Sequence, residues 1–201
     1  MPAEPDSGGI SSNEGVSLIL ASASPRRREL LHRIVSDFVV VPSRCAEPSD
    51  GPPRDRVLAG ARAKAGEVAA RCSGVVIGAD TLVVRGDAVL GKPGSREQAR
   101  RMIQSLSGNE HAVLTGLCVL STWTGEGLEA IEETRVRFRE LSADEIERYV
   151  ASGEADDKAG AYAIQGRAAV FVEGICGDFY NVMGLPLCRL VLMLREVGVR
   201  V

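Results

Sequence analysis

Histidine is almost missing from this chain: His32 and His111 are the only two. With so few imidazoles, neither a Ser-His-Asp nor a Cys-His catalytic set stands out. Any metal site must use hard oxygen ligands, which favours magnesium or manganese over zinc. The cysteines (Cys45, Cys72, Cys118, Cys176 and Cys188) are odd in number, and no C-x-x-C occurs. Neither a disulfide framework nor a zinc knuckle fits, so buried, reduced thiols in the cytoplasm are expected. An excess of one charge is also missing. Lys and Arg number 24 and Asp and Glu 27, for a net charge of −3. Broad coating of nucleic acid is therefore not expected. The longest apolar runs, such as "LVLML", are far too short to cross a bilayer, so no membrane association is expected. The start, "MPAEPDSGGISSNEG", lacks the basic and apolar regions of a secretory signal. Its Gly, Ser, Pro and acidic content reads as a disordered leader over residues 1–15.

What remains is an ordinary globular composition, 45% hydrophobic over 201 residues. It suits one catalytic domain, residues 16–201, of two lobes around a cleft. "VSLILAS" (16–22) reads as a strand, and Ser24 with Pro25 as a helix start. Leu30, Leu31, Ile34 and Val35 give a helical stripe, and "FVVVP" (38–42) a second strand. Residues 47–53 read as a loop, and Arg54 to Arg71 as an exposed, Ala-rich helix. "VVIGADTLVV" (75–84) reads as a buried strand interrupted at Gly-Ala-Asp-Thr, followed by an "RGD" hairpin turn. Ser95 with Gln98, and Ser142 with Glu145, have capping-box spacing ahead of two amphipathic helices. Residues 111–122 and 132–141 alternate like half-buried antiparallel strands. Residues 153–166 are loop-like, "AAVFVEGICGDF" is a hairpin candidate, and a helix closes the chain after Pro186. The order predicts an α/β fold with a mixed, partly antiparallel sheet and flanking helices.

Four features carry chemistry. Arg26, Arg27 and Arg28 crowd the first helical turn, where the helix dipole favours acids and each cation costs roughly 0.3–1 kcal/mol. An arriving phosphate would reverse that sign, with Ser22 and Ser24 as further donors. A solvated basic face is the other reading, and Arg28 is expected to point outward. Asp80 sits among buried-type residues, where a lone carboxylate is costly. It is either a turn or capping acid, or a general base or metal ligand at a cleft. Lys64 in "ARAKAG", Lys92 in "GKPG" and Lys158 in "DDKAG" form a set of lysines near Gly or Pro, and no Walker motif occurs. Each alone is a solvated lysine, although Lys92 and Lys158 have their backbone fixed by Gly and Pro neighbours. Gln165 precedes Gly166, and its amide could read both edges of a base or simply sit on the surface.

Six segments in order resemble the Maf family of nucleoside triphosphate pyrophosphatases. They are "LASASPRRRELL", "VVIGADTLVV", "LGKP", "MIQSLSGNEHAVLTG", "YVASGEADDKAGAYAIQG" and "GDFYNVMGLPL". The resemblance implies an elongated α/β molecule with a central cleft. It implies hydrolysis of a nucleoside triphosphate to the monophosphate and pyrophosphate with a divalent cation, Mg²⁺ or Mn²⁺. It places the proton acceptor on Asp80, and substrate specificity on Arg26, Thr81 and Gln165. Phosphate-binding positions fall on Ser22, Arg27, Lys64 and Lys92, and a metal-side carboxylate on Glu47 beside Asp80. "DKAGAYAIQG" is similar to the branch acting on dTTP, UTP and modified uridine nucleotides. The family likeness also implies a homodimer and a link to septum formation and cell division. The alternatives are a preference for purine or damaged nucleotides, or a nucleotide-binding regulator of division. Asp156 and Asp157 are alternative acids for the cleft wall.

Overall fold

Leu18–Leu20 form a short buried strand, β1, whose three side chains are all enclosed. The computed structural model describes residues 17–201, so the leader expected over 1–15 lies outside the described residues. At Ser24 the backbone is still extended, and the hydroxyl accepts from the Arg27 N–H at 3.4 Å. Together with Pro25 in the first turn, this starts α1 (Pro25–Leu31). The helix stops after seven residues, so Ile34 and Val35 pack on the core from the turn beyond it. The strand expected at 38–42 is β2, only Val39–Val40.

The remaining elements are α2 (Pro53–Ala69), β3 (Val75–Arg85), β4 (Ala88–Leu90), α3 (Arg96–Leu106), β5 (Glu110–Ser121), β6 (Gly127–Phe138), α4 (Ala143–Ala151), β7 (Val172–Cys176), α5 (Phe179–Met183) and α6 (Leu187–Glu196). The sheet has seven strands in the order β2-β1-β3-β5-β6-β7, with β4 on the far end of β3. β1 runs parallel to β2 and β3, and every other pairing is antiparallel. This is the mixed α/β architecture that the order of elements predicts.

Strand alternation divides the core between two faces. Ile19, Ala21, Val76 and Cys118 meet Ala61, Ala65 and Val68 of α2. Leu18, Leu20, Val75, Ile77, Leu117 and Val119 face the other helices, with Leu30, Ile103, Ile146 and Leu190 among their partners. Each such fully buried side chain contributes roughly 1.5–3 kcal/mol.

Two sequence expectations change here, for the same reason. α2 is exposed on one side only: Arg54, Asp55 and Arg62 face out, whereas Val57, Gly60, Ala61, Lys64, Ala65 and Val68 are buried. β3 is not interrupted at Gly-Ala-Asp-Thr: it pairs continuously with β5 from Val75↔Ser121 to Val84↔Ala112. The glycines let the helix lie directly on the sheet. A Cβ on Gly78 would stand 2.2 Å from the Ala61 carbonyl oxygen, and one on Gly116 would stand 2.2 Å from that of Val57. A breaker in one dimension is a contact point in three.

Smaller differences follow the same pattern. Gln98 caps the Gly94 N–H rather than closing a box on Ser95, whereas the Ser142–Glu145 box is complete. The hairpin candidate at 168–179 is one edge strand, β7, after a short 3-10 turn. Residues 85–88 form the expected hairpin turn between β3 and β4. All five cysteines are free, but only Cys118 is buried, and burial pushes its thiol up to about 11.

His111 is the one histidine in the core, 3% exposed, with Nε2 2.8 Å from the Tyr162 hydroxyl and Nδ1 without a partner. His32 is exposed and lies against Phe38. Burial pushes the His111 imidazole down to about 4, from an ordinary 6.5. Below pH 6.5 the unfolded chain takes up a proton that the folded chain refuses, so stability falls with pH until the folded form also titrates. The expected loss is on the order of 3 kcal/mol between pH 6.5 and 4. Urea midpoints at both pH values check this. His111→Gln, which can still bond Tyr162, is expected to show a smaller drop; an equal drop would assign the acid sensitivity to the carboxylates alone.

Candidate active site

Because side chains alternate along a strand, β3 points Gly78 and Asp80 toward α2, and Ala79 and Thr81 the other way. Lys64 comes from α2 one turn beyond Gly60. A Cβ on Gly60 would lie 2.5 Å from Asp80 Oδ2, so glycine leaves room for the carboxylate there. Lys64 Nζ donates to Asp80 Oδ1 at 2.6 Å and to Glu47 Oε1 at 2.8 Å. The Lys64 and Asp80 side chains are 11% and 8% exposed, whereas Glu47, on the loop before α2, is 61% exposed. One lysine therefore ties an inner acid to an outer one. Removing a partner from a buried pair of this kind costs about 3–5 kcal/mol. The Lys64 hydrogen bond holds the Glu47 carboxyl below its usual range, and the Lys92 and Arg27 charges pull the same way.

On the opposite face of β3, Arg27 is held on three sides. Its Nε donates to the Gly184 carbonyl at 2.8 Å, one terminal nitrogen to the Ala79 carbonyl at 2.9 Å, and the other to Thr81 Oγ1 at 2.9 Å. Ser22 Oγ lies 3.5 Å away as a weaker acceptor. Burial lowers the Arg27 pKa, and the charges of Asp80 and Glu47 oppose that shift. Thr81 Oγ1 also bonds Thr115 Oγ1 at 2.9 Å. Arg27 thus joins α1, the loop after α5 and the strand segment that carries Asp80. Its donors are largely committed to the protein, a role that residue order does not reveal.

These side chains line one cleft of about 790 Å³. Ser22, Arg26, Arg27, Glu47, Lys64, Asp80, Thr81, Lys92 and Gln165, all singled out from the sequence, are brought together there. Arg28 is exposed and off the cleft, as expected. Of the two neighbouring acids, Asp157 lines the cleft and Asp156 does not. Asp157 pairs with Lys158, whose hydrogen bond lowers its pKa against desolvation, with Arg26 adding to the same effect. Arg26 thus acts on both sides of the cleft, on Asp157 and on Arg27, whose pKa it also lowers. Glu154 and Tyr162 also line the cleft. No sequence signal marked Glu154, an acid in a segment without periodicity.

Among the described residues, no group of three or more His, Cys, Asp or Glu side chains converges as a metal cluster. Glu47 and Asp80 nevertheless supply hard oxygens in the same cleft, one on each side of Lys64 Nζ. That donor set fits a magnesium-like ion, which commonly takes one or two carboxylates and completes its shell with phosphates and water. Among the described residues no helix is long and apolar enough to cross a membrane.

A mixed-sheet α/β protein with a buried acid–lysine pair in a cation-lined cleft is built for a small polyanion. Residues 17–197 match the family model for Maf-like protein, and the chain belongs to that family. It is 53% identical to the dTTP/UTP pyrophosphatase of Thermococcus onnurineus over 182 residues, covering 90% of this chain and 97% of that one. It is 51% identical to the dTTP/UTP pyrophosphatase of Moorella thermoacetica over 187 residues, covering 92% and 96%.

Proposed function

We propose that this chain hydrolyses dTTP and UTP to the nucleoside monophosphate and pyrophosphate, with modified uridine nucleotides as further substrates. The observation that carries the reading is the Glu47–Lys64–Asp80 arrangement, 2.8 and 2.6 Å, inside a cleft also lined by Arg26 and Lys92. Phosphoryl transfer needs little from the protein beyond positioning and neutralisation of charge. Arg26, Lys64 and Lys92 bind the triphosphate, and Arg27 contributes a fixed charge from behind Thr81. Asp80 accepts a proton from water as the water oxygen bonds to the α-phosphorus. The bond from the α-phosphorus to the bridging oxygen breaks, and pyrophosphate leaves with the electron pair. Gln165 and Thr81 select the pyrimidine. Glu47 and Asp80 would hold Mg²⁺ or Mn²⁺, which supplies neutralisation of phosphate charge when bound. Five free cysteines support a reducing compartment, the cytoplasm.

A nucleotide panel tests the reading. The purified protein is incubated with dTTP, UTP, CTP, dATP and dGTP, each with Mg²⁺ or Mn²⁺, and both products are quantified. Equimolar monophosphate and pyrophosphate, formed fastest from dTTP and UTP, is the expected result. Release of orthophosphate with a diphosphate, or no turnover of any nucleotide, would overturn it.

A further inference from the structure

We propose that Glu154 is the positioning residue of the base-reading turn, clamping Gly166 and Arg167 so that Gln165 is presented to the cleft at a fixed angle. The inference rests on the reading of Gln165 as the base-selecting group.

The Glu154 carboxylate is held at both oxygens. Oε2 accepts from the Arg167 N–H at 3.0 Å, and Oε1 accepts from the Tyr149 hydroxyl at 3.3 Å. Tyr149 is itself enclosed: it is 3% exposed on α4, with its ring 5.1 Å from that of Phe171. Between these two contacts lies Gly166. A Cβ there would stand 2.4 Å from Oε1 and 2.5 Å from Oε2. The Gly166 backbone, with φ −102° and ψ −148°, does not call for a glycine. The carboxylate occupies the space a side chain would need. The residue after Gln165 therefore rests directly on Glu154, and the next residue is hydrogen-bonded to it. A flexible amide discriminates bases poorly, because specificity requires that a wrong base leave its partners unpaired. A fixed turn supplies that penalty.

The test is the ratio of kcat/KM for UTP to that for CTP, with KM and kcat separated. Glu154→Ala is expected to lower the ratio about tenfold, as expected for a lost charge-assisted hydrogen bond. The loss should lie in KM for UTP, with kcat nearly unchanged. Glu154→Gln keeps an acceptor for the Arg167 N–H and is expected to keep the ratio. Gly166→Ala forces a methyl against the carboxylate and is expected to lower the ratio as Glu154→Ala does; it carries the test if Glu154→Ala does not fold. In the double variant the clash is gone, so the ratio should match that of Glu154→Ala alone. An unchanged ratio in folded Glu154→Ala, or in Gly166→Ala, overturns the clamp. Gln165→Ala separates the two ideas. If it keeps the ratio, the base-reading assignment fails. If it loses the ratio while Glu154→Ala keeps it, only the clamp fails.

Discussion

Replacing Asp80 with asparagine is expected to lower kcat for UTP about 10³-fold, within the span that a positioned general base contributes. The fold should survive, because the change is isosteric and the asparagine oxygen can still accept from Lys64. Glu47 also remains 2.8 Å from Lys64 Nζ, so the buried ammonium keeps a counter-charge. Nucleotide affinity measured without divalent cation should change little, since Arg26, Lys64 and Lys92 are untouched. Pyrophosphate release, a thermal melt and nucleotide titration measure the three quantities separately. Turnover within a few-fold of wild type would remove Asp80 as the proton acceptor.

The second large effect comes from a residue that touches no substrate. Gly60→Ala is expected to lower kcat about 100-fold, the usual cost of displacing a reacting group by about 1 Å. Its new methyl would lie 2.5 Å from Asp80 Oδ2 and 2.8 Å from Cγ, so a carboxylate held as it is now must be displaced. Alanine is otherwise the better helix former, by about 1 kcal/mol in mid-helix. Gly60→Ala should therefore lose activity without losing helix, which circular dichroism and pyrophosphate release together check. Activity near wild type would mean that the helix shifts to absorb the methyl, and that the Gly60 contact does not fix Asp80. A glycine in the middle of α2 carries a propensity cost, and the site explains why it is there.

Much of this was legible in the sequence. The Ser24–Pro25 boundary and the Ser142–Glu145 box are local signals, and local hydrogen bonds answer them; β6 alternates as expected from Glu133 to Phe138, whereas β5, between β3 and β6, is buried on both faces from Val113 to Val119 instead of half-buried. Asp80 was legible because an acid among apolar neighbours needs a partner or a task. Other features were not legible. Arg54 to Arg71 looks like an exposed helix, because alanine and glycine give no strong apolar stripe. One side of it is buried because small residues let two backbones approach, a match of shapes that hydropathy does not record. The three arginines at the start of α1 look alike in sequence. The sequence set Arg28 apart as outward-facing, and only the fold separates Arg26, lining the cleft, from Arg27, tied to Gly184, Ala79 and Thr81.

The sequence by itself determined the class of fold, the start of α1 and the set of charged and amide groups available for phosphate and base. Each of those depends on short-range pattern or on residue type. Only the tertiary structure decided that Lys64 joins Asp80 to Glu47, that Arg27 is an anchor, and that Glu154 lies beneath Gly166. Those are contacts between residues 13 to 157 positions apart for the hydrogen bonds concerned, and they exist only once the helices and sheet have packed. A charge's role depends on which partner remains within hydrogen-bond reach after packing, and spacing along the chain carries no record of that distance.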